Sequence, residues 1–434
     1  MSQVPTTAPA APQTPAPVAP QAGIKNRPPE HVIVAALSIP TDPAGALAAI
    51  TALRQIESQE LSSTLPTEDA QTSKAQVGPE TGEIGFANNF DRAHLTITTG
   101  ISSSAFDKLG IAAANRPQDL EPIPWQALGD SPVQPNSGDV VLQICSDDPY
   151  ICEHVLHRVL YEQAGKITLV WAQAGVQRFS SRQGRTSRAE GRALIGFIDG
   201  TANLDVSDCH HIDDSLIFVD PAAVSSYPPL PPPSPPPAYG QSAPAQFPAD
   251  LRPPPASEPD WTKWGSYLVV RSTLQNFGTW DTSALGSQEQ TIGRFKFSGA
   301  FLDLTDDPAQ LNTPPAFASN PQDTVVPLTS HVRKANPRGP GDDQRRIFRR
   351  GYPLISGNTN GIDRGLLFIS YARSISTQFE FIFRAWMRNA NFPAPGTGQD
   401  ALFAFESAVL CGGYYFVPPL SDACDPTSWA VPSS

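Results

Sequence analysis

"HVIVAALSIPTDPAGALAAITALRQI", residues 31–56, changes from one structural period to another within a few positions. Its first nine residues, 31–39, form an apolar run that predicts a strand. Asp42 then offers a side-chain acceptor just before Pro43, whose missing N–H costs nothing in the first turn of a helix. Leu47, Ile50, Leu53 and Ile56 fall on one side of that helix. The same device returns at "DVVLQIC", residues 139–145, where Asp148 and Pro149 open a helix whose Ile151, Val155 and Val159 step by four into one buried stripe.

Working outward, "HLTITTG" (94–100) and "KITLVWA" (166–172) supply two more strands to this half. The later part of the chain repeats the scheme with "SYLVVRS" (266–272), "GLLFISYA" (365–372), a helix presenting Phe379, Ile382, Phe383 and Trp386 on one face, and "GGYYFVPP" (412–419). Two such halves predict an α+β fold of two units, each an antiparallel sheet with its helices outside. Two segments read as unfolded: residues 1–29, made of Ala, Pro, Thr and Gln, and residues 222–258, with "YPPLPPPSPPPAYGQSAPAQFPADLRPPP". Prolines there remove the donors that a sheet or helix needs, so the second segment reads as an exposed polyproline-type insert. The expected organisation is a tail at 1–29, an N-terminal domain at 30–221, the insert at 222–258 and a C-terminal domain at 259–434.

The chain has 434 residues, 40% hydrophobic and 17% charged, with 47 prolines, 31 glycines and a formal net charge of -12. An acidic balance argues against nucleic acid or an anionic membrane surface as the main partner, because phosphate backbones need distributed Lys and Arg. No apolar run approaches the twenty residues of a membrane span. Five cysteines, at 145, 152, 209, 411 and 424, contain no CxxC pair and read as reduced thiols of a cytoplasmic protein.

Against that acidity, "HVRKANPRGPGDDQRRIFRRG", residues 331–351, gathers Arg333, Lys334, Arg338, Arg345, Arg346, Arg349 and Arg350 behind one histidine. A local basic run implies a small anionic partner, and His331 beside it suggests a metal ligand, so an anionic metal cofactor would satisfy both. A solvated basic face is the alternative. His31, His94, His154 and His157 sit within the expected strands and helices as structural residues. His210 and His211 lie beside Cys209 and Asp213 without the spacing of a metal site.

Five blocks in order, "GFIDGTANL" from Gly196, "IGRFKFSGAFLDLTDDP" from Ile292, "SHVRKANPR" from Ser330, "RRIFRRGYP" from Arg345 and "GLLFISY" from Gly365, resemble the dye-decolorizing peroxidases across about residues 31–420. That resemblance implies two ferredoxin-like domains of the dimeric α+β barrel kind, with haem b bound in the C-terminal one. It implies His331 as the axial ligand of the iron and Asp400, in "QDALFAF", as the carboxylate on the other imidazole nitrogen, with a helix or turn cap as the alternative role for Asp400. Asp199 matches the distal acid and Arg349 the distal arginine, with Arg350 the alternative register. Gly200, Thr201 and Asn203 belong to the same cofactor-facing loop. Leu366 and Phe368 alternate along one strand and resemble the apolar lining of the pocket, although plain core packing would give the same pattern. Arg294 and Arg333 are propionate or pocket contacts by the same resemblance.

The activity implied is that of a peroxidase, in which hydrogen peroxide generates an oxyferryl porphyrin radical that oxidises dyes, phenols or other one-electron donors. A non-catalytic haem carrier or sensor is the alternative, and a homo-oligomer is compatible with either. The chain departs from the family pattern in two places. Leu204, where the motif commonly has proline, bears on loop rigidity, and the proline-rich insert bears on the surface where bulky substrates dock.

Overall fold

The computed structural model describes residues 19–62, 93–177, 191–204, 213–231, 245–315, 317, 325–358 and 361–420. The first half is β1 (His31–Ser38), α1 (Pro43–Ser62), β2 (Thr96–Ile101), β3 (Val140–Ser146), α2 (Pro149–Glu162) and β4 (Thr168–Val176). The second half is β5 (Ser266–Gln275), α3 (Leu285–Ile292), α4 (His331–Ala335), β6 (Phe348–Arg349), β7 (Tyr352–Asn358), β8 (Gly361–Ala372), α5 (Ile375–Met387) and β9 (Glu406–Val417). Both helix starts read from the sequence form as expected. Asp42 Oδ1 accepts from Gly45 N–H at 2.7 Å, and Asp148 Oδ1 accepts from Tyr150 N–H at 2.9 Å.

Within each half the strands run antiparallel in the ferredoxin-like order, β2-β3-β1-β4 in the first and β9-β5-β8-β7 in the second. Ile101 pairs with Phe416 and Gly175 with Leu354, so the two half-sheets join at both edges and their eight strands close into one barrel. At the second seam Gly175 is required by close approach, because a Cβ there would strike Tyr352 and Val32. Strand alternation then sorts the apolar residues into two layers. Val34, Val141, Leu268, Val270, Leu367, Ile369 and Tyr415 fill the barrel, while Leu37, Leu142, Val269, Tyr414 and Phe416 meet α1, α2 and α5 outside.

Three expectations need correction. Residues 19–29 are not tail: Ala22–Lys25 forms a helical turn with Ile24 fully buried, and the Gln21 side chain exchanges hydrogen bonds with Thr99 and donates to Pro418 O. The insert is not an exposed loop over its described residues. Leu230, Ala245, Phe247 and Leu251 pack on Phe381, Ile382, Ala385, Trp386 and Phe392, so apolar residues spaced between the prolines dock it onto α5. In consequence α5 has no single apolar face. It is wound as a π-helix, with Phe379 and Phe383 on the barrel and Ile382 and Trp386 under the insert.

Candidate haem and peroxide site

Residues 191–204 form a loop that carries Asp199 to the start of β6. Arg192 ties this loop to the hairpin after α3, donating to the carbonyls of Gly196 (2.7 Å), Lys296 (2.8 Å) and Phe297 (2.9 Å). Gly200 takes φ +74°, a left-handed conformation that glycine adopts without strain, and its N–H turns back to Asp199 Oδ1 at 2.7 Å. One carboxylate oxygen is thereby held. The other, Oδ2, has no hydrogen-bond partner among the described residues and lies 3.9 Å from the Cβ position of Gly351.

Arg349 is set against the same loop. Its Nη2 donates to Thr201 O at 2.7 Å, while the Asn203 amide accepts from Arg349 N–H at 3.0 Å and donates to Arg349 O at 2.8 Å. Burial pushes the guanidinium pKa below its ordinary value, the Asp199 charge partly restores it, and Arg346 lowers it again. Asn203 acts here through its side-chain amide. It substitutes for a neighbouring strand on the open edge of β6 and clamps the arginine backbone. Arg350 points elsewhere, with Nη1 on the carbonyls of Ile24 and Asn26. Adjacent strand residues face opposite ways, which separates the two registers left open by the sequence.

His331 opens α4, and its Nδ1 lies 2.8 Å from Asp400 Oδ2. The histidine side chain is 28% exposed and Asp400 is fully buried, so the pair is fixed at the carboxylate end and open at the other. Both readings of Asp400 hold together, since its Oδ1 also accepts from Leu402 N–H at 2.9 Å and caps the next turn. The hairpin after α3 touches both sides of the site: a Cβ on Gly299 would strike Ile198, and one on Gly293 would strike Val332 and Ser330. Leu366 and Phe368 are half-buried on the outward face of β8. A Cβ on Gly351 would lie 3.4 Å from Leu366, and the Phe368 ring packs at 5.8 Å against that of Phe379, tilted by 39°.

The chemistry of these residues fits an anionic porphyrin. Arg294 is 4% exposed, lies over the Phe301 ring at 3.6 Å, and leaves Nε without a partner. Burial, then Arg338 and Arg349, push its pKa down to about 9, with Asp303 offsetting only in part. Arg338, over the Phe301 and Phe317 rings, is pushed down to about 10 by burial and by Arg346. Crowded, desolvated guanidiniums of this kind are what the carboxylates of a haem would relieve. Arg333 is held by Val326 O at 3.0 Å and lies over Phe317 at 4.7 Å. Arg338, Arg346 and Arg192 were not singled out among the site residues, and adjacency to other arginines was the only signal for the first two. His210, His211 and Cys209 lie outside the described residues, and no group of three or more His, Cys, Asp or Glu able to hold a metal occurs among those described.

A closed barrel of two ferredoxin-like halves thus carries a histidine-carboxylate pair, a half-buried carboxylate and a half-buried arginine within electrostatic reach of one another, and crowded positive charge, a set of groups that fits a haem peroxidase. The family models for the N-terminal and C-terminal parts of the Dyp-type peroxidases match residues 29–177 and 244–422, more than half of the chain. The chain belongs to the Dyp-type peroxidase family, and is thus a haem-dependent oxidoreductase acting on hydrogen peroxide and organic electron donors. Deferrochelatase of Escherichia coli (strain K12) is 28% identical over 336 residues, covering 76% of this chain and 67% of that protein. A DyP-type peroxidase from Cellulomonas bogoriensis shares the fold with TM-score 0.66 at 23% identity, over 93% of this chain and 94% of that one. DtpA from Streptomyces lividans matches with TM-score 0.66 at 21% identity, over 92% and 91%.

Proposed function

We propose that His331 is the axial ligand of haem iron and that Asp199 and Arg349 work on peroxide on the opposite side. The observation that carries this reading is the clamping of Arg349, on β6, against the loop that holds Asp199. When bound, the haem would store the two oxidising equivalents that hydrogen peroxide delivers, until two one-electron donors give back the electrons. Asp400, accepting from His331 Nδ1, orients the ring and makes it a stronger donor through its other nitrogen. Arg294, Arg333 and Arg338 would hold the propionates of the haem, and Leu366 and Phe368 would keep water from the peroxide.

Asp199 Oδ2 takes the proton from one peroxide oxygen and delivers it to the other, a role open to it because Oδ1 is already held by Gly200. Arg349 stabilises the negative charge on the departing oxygen without having to reorganise. Phenols and dye-like aromatics are the donors that suit one-electron oxidation. The free, buried thiols of Cys145, Cys152 and Cys411 support a reducing compartment, and hence the cytoplasm.

Purified protein should show a Soret band and consume peroxide in the presence of a phenolic donor. His331→Ala should lose the haem or shift its ferric spectrum, and an unchanged spectrum would remove the ligand assignment. The name of the curated relatives describes another outcome, release of iron from haem. Metal-free porphyrin as the product, with the donor left unoxidised, would favour it.

A further inference from the structure

Arg350 is 2% exposed and has no carboxylate partner among the described residues. Its Nη1 donates to Ile24 O at 3.1 Å and to Asn26 O, while Nε and Nη2 have no partner. Those two carbonyls belong to a strap, residues 19–30, that crosses both halves of the molecule. Ala19 bridges to Leu420, Gln21 binds Thr99 and Pro418, Lys25 pairs with Asp214 at 2.7 Å, and Tyr352 Oη donates to Pro29 O at 3.0 Å.

We propose that Arg350 and this strap are a positioning device for Arg349. The inference rests on the reading of Arg349 as the cation that faces peroxide. β6 is only two residues long and has a single strand neighbour, β8, through Arg349 opposite Ser370 and Arg350 N–H on Ile369 O at 2.8 Å. A two-residue strand has little of its own to hold its pleat. Side chains of adjacent residues leave it on opposite faces, so fixing Arg350 on one face fixes the direction in which Arg349 leaves on the other. Removing the two carbonyls would leave a buried cation short of acceptors, and the strand would rotate to bring it toward water. A shift of about 1 Å in a catalytic group can cost on the order of a hundredfold.

The test uses full-length protein loaded with ferric haem and titrated with fluoride, an anion that reads hydrogen-bond donation by Arg349. Arg350→Met should weaken fluoride binding by about tenfold or more while haem content stays unchanged. Arg350→Lys, whose ammonium still reaches the Ile24 and Asn26 carbonyls, should recover most of that loss. A protein begun at Pro28 should show the same weakening, reversed by a synthetic peptide of residues 18–27. This pair of measurements decides the matter even if Arg350→Met does not fold. In haem-free protein, amide exchange at Arg349 and Arg350 should quicken about tenfold in Arg350→Met and not at Val34 in β1. Wild-type fluoride affinity and amide protection in Arg350→Met, or a lysine variant as impaired as the methionine one, overturn the proposal. Arg349→Leu is the control: if it binds fluoride as the wild type does, the role of Arg349 itself fails, whereas a weakened Arg349→Leu beside an unaffected Arg350→Met removes only the strap.

Discussion

Arg349 and Arg350 share a residue type and neighbour one another in sequence, yet one meets Thr201 and Asn203 and the other Ile24 and Asn26. Arg349→Leu should slow the reaction of the ferric enzyme with peroxide by about 10²- to 10³-fold, the size expected when one preorganised stabilising group is lost. Stopped-flow mixing checks this, and a full-speed reaction would show that the charge comes from elsewhere. Asp199→Asn should cost about 10²-fold, since the amide cannot carry the proton from one peroxide oxygen to the other. Asn203→Ala removes both hydrogen bonds to the Arg349 backbone, so it should slow the same step while leaving haem content intact; loss of haem with an undiminished rate per bound haem would show that Asn203 serves the cofactor instead. Asp400 was legible because it matched a motif, and both of its readings were physically compatible. The directions of the two arginines were not legible, because a two-residue strand leaves too little pattern to set a register, and only the partners on each face tell the side chains apart.

At the scale of the element, the first βαββαβ half was readable because its strands and helices are long enough to show a period, whereas in the second half β5, β8, α5 and β9 were read and the eight-residue α3 and β7, with its serine, glycine and proline, were not. The strap escaped because "AGIK" is a single turn beside alanine and proline, too short for any repeat to appear. The insert misled for a related reason: prolines state that it joins no sheet, but Phe247 and Leu251 do the docking. Phe247 lies 6.1 Å from Phe381 and 6.0 Å from Phe392. Phe247→Ala should therefore destabilise the protein by about 2–3 kcal/mol, toward the low end for a large aromatic because the ring is only partly buried. Removing residues 227–253 should expose Phe381 and Trp386 and prevent folding. Urea unfolding checks the first, and soluble, haem-loaded protein after the deletion would show that the insert merely rests on α5.

Across the whole molecule, one buried polar cluster ties the insert to both halves. Asp119, from the first half, accepts from Ser374 and Ser376 at the start of α5, and Arg252 of the insert reaches Asp119 and Glu380. Glu258, at the end of the insert, accepts from Tyr267 Oη of β5 and from Gln118 N–H of the first half. Burial pushes Glu258 up to about 7, chiefly by desolvation and despite these hydrogen bonds. The sign of its effect on stability follows from which state holds the proton. Between the ordinary carboxyl value of 4.5 and about 7 the folded protein keeps a proton that the unfolded chain has released, so stability from this group falls as pH rises through that window and is lowest above it. Glu258→Gln cannot ionise and should lack this slope. It leaves Gln118 N–H facing an amide, a cost independent of pH, so the informative quantity is the change in the wild-type minus variant difference rather than either value. That difference should move against the wild type by at most about 3 kcal/mol between pH 5 and pH 8, the equivalent of the shift in one carboxyl group. Urea unfolding of both haem-free proteins at the two pH values measures it. A difference that stays constant, or that moves in favour of the wild type, would mean that Glu258 is already ionised in its buried site and that the hydrogen bonds from Tyr267 and Gln118 outweigh its desolvation.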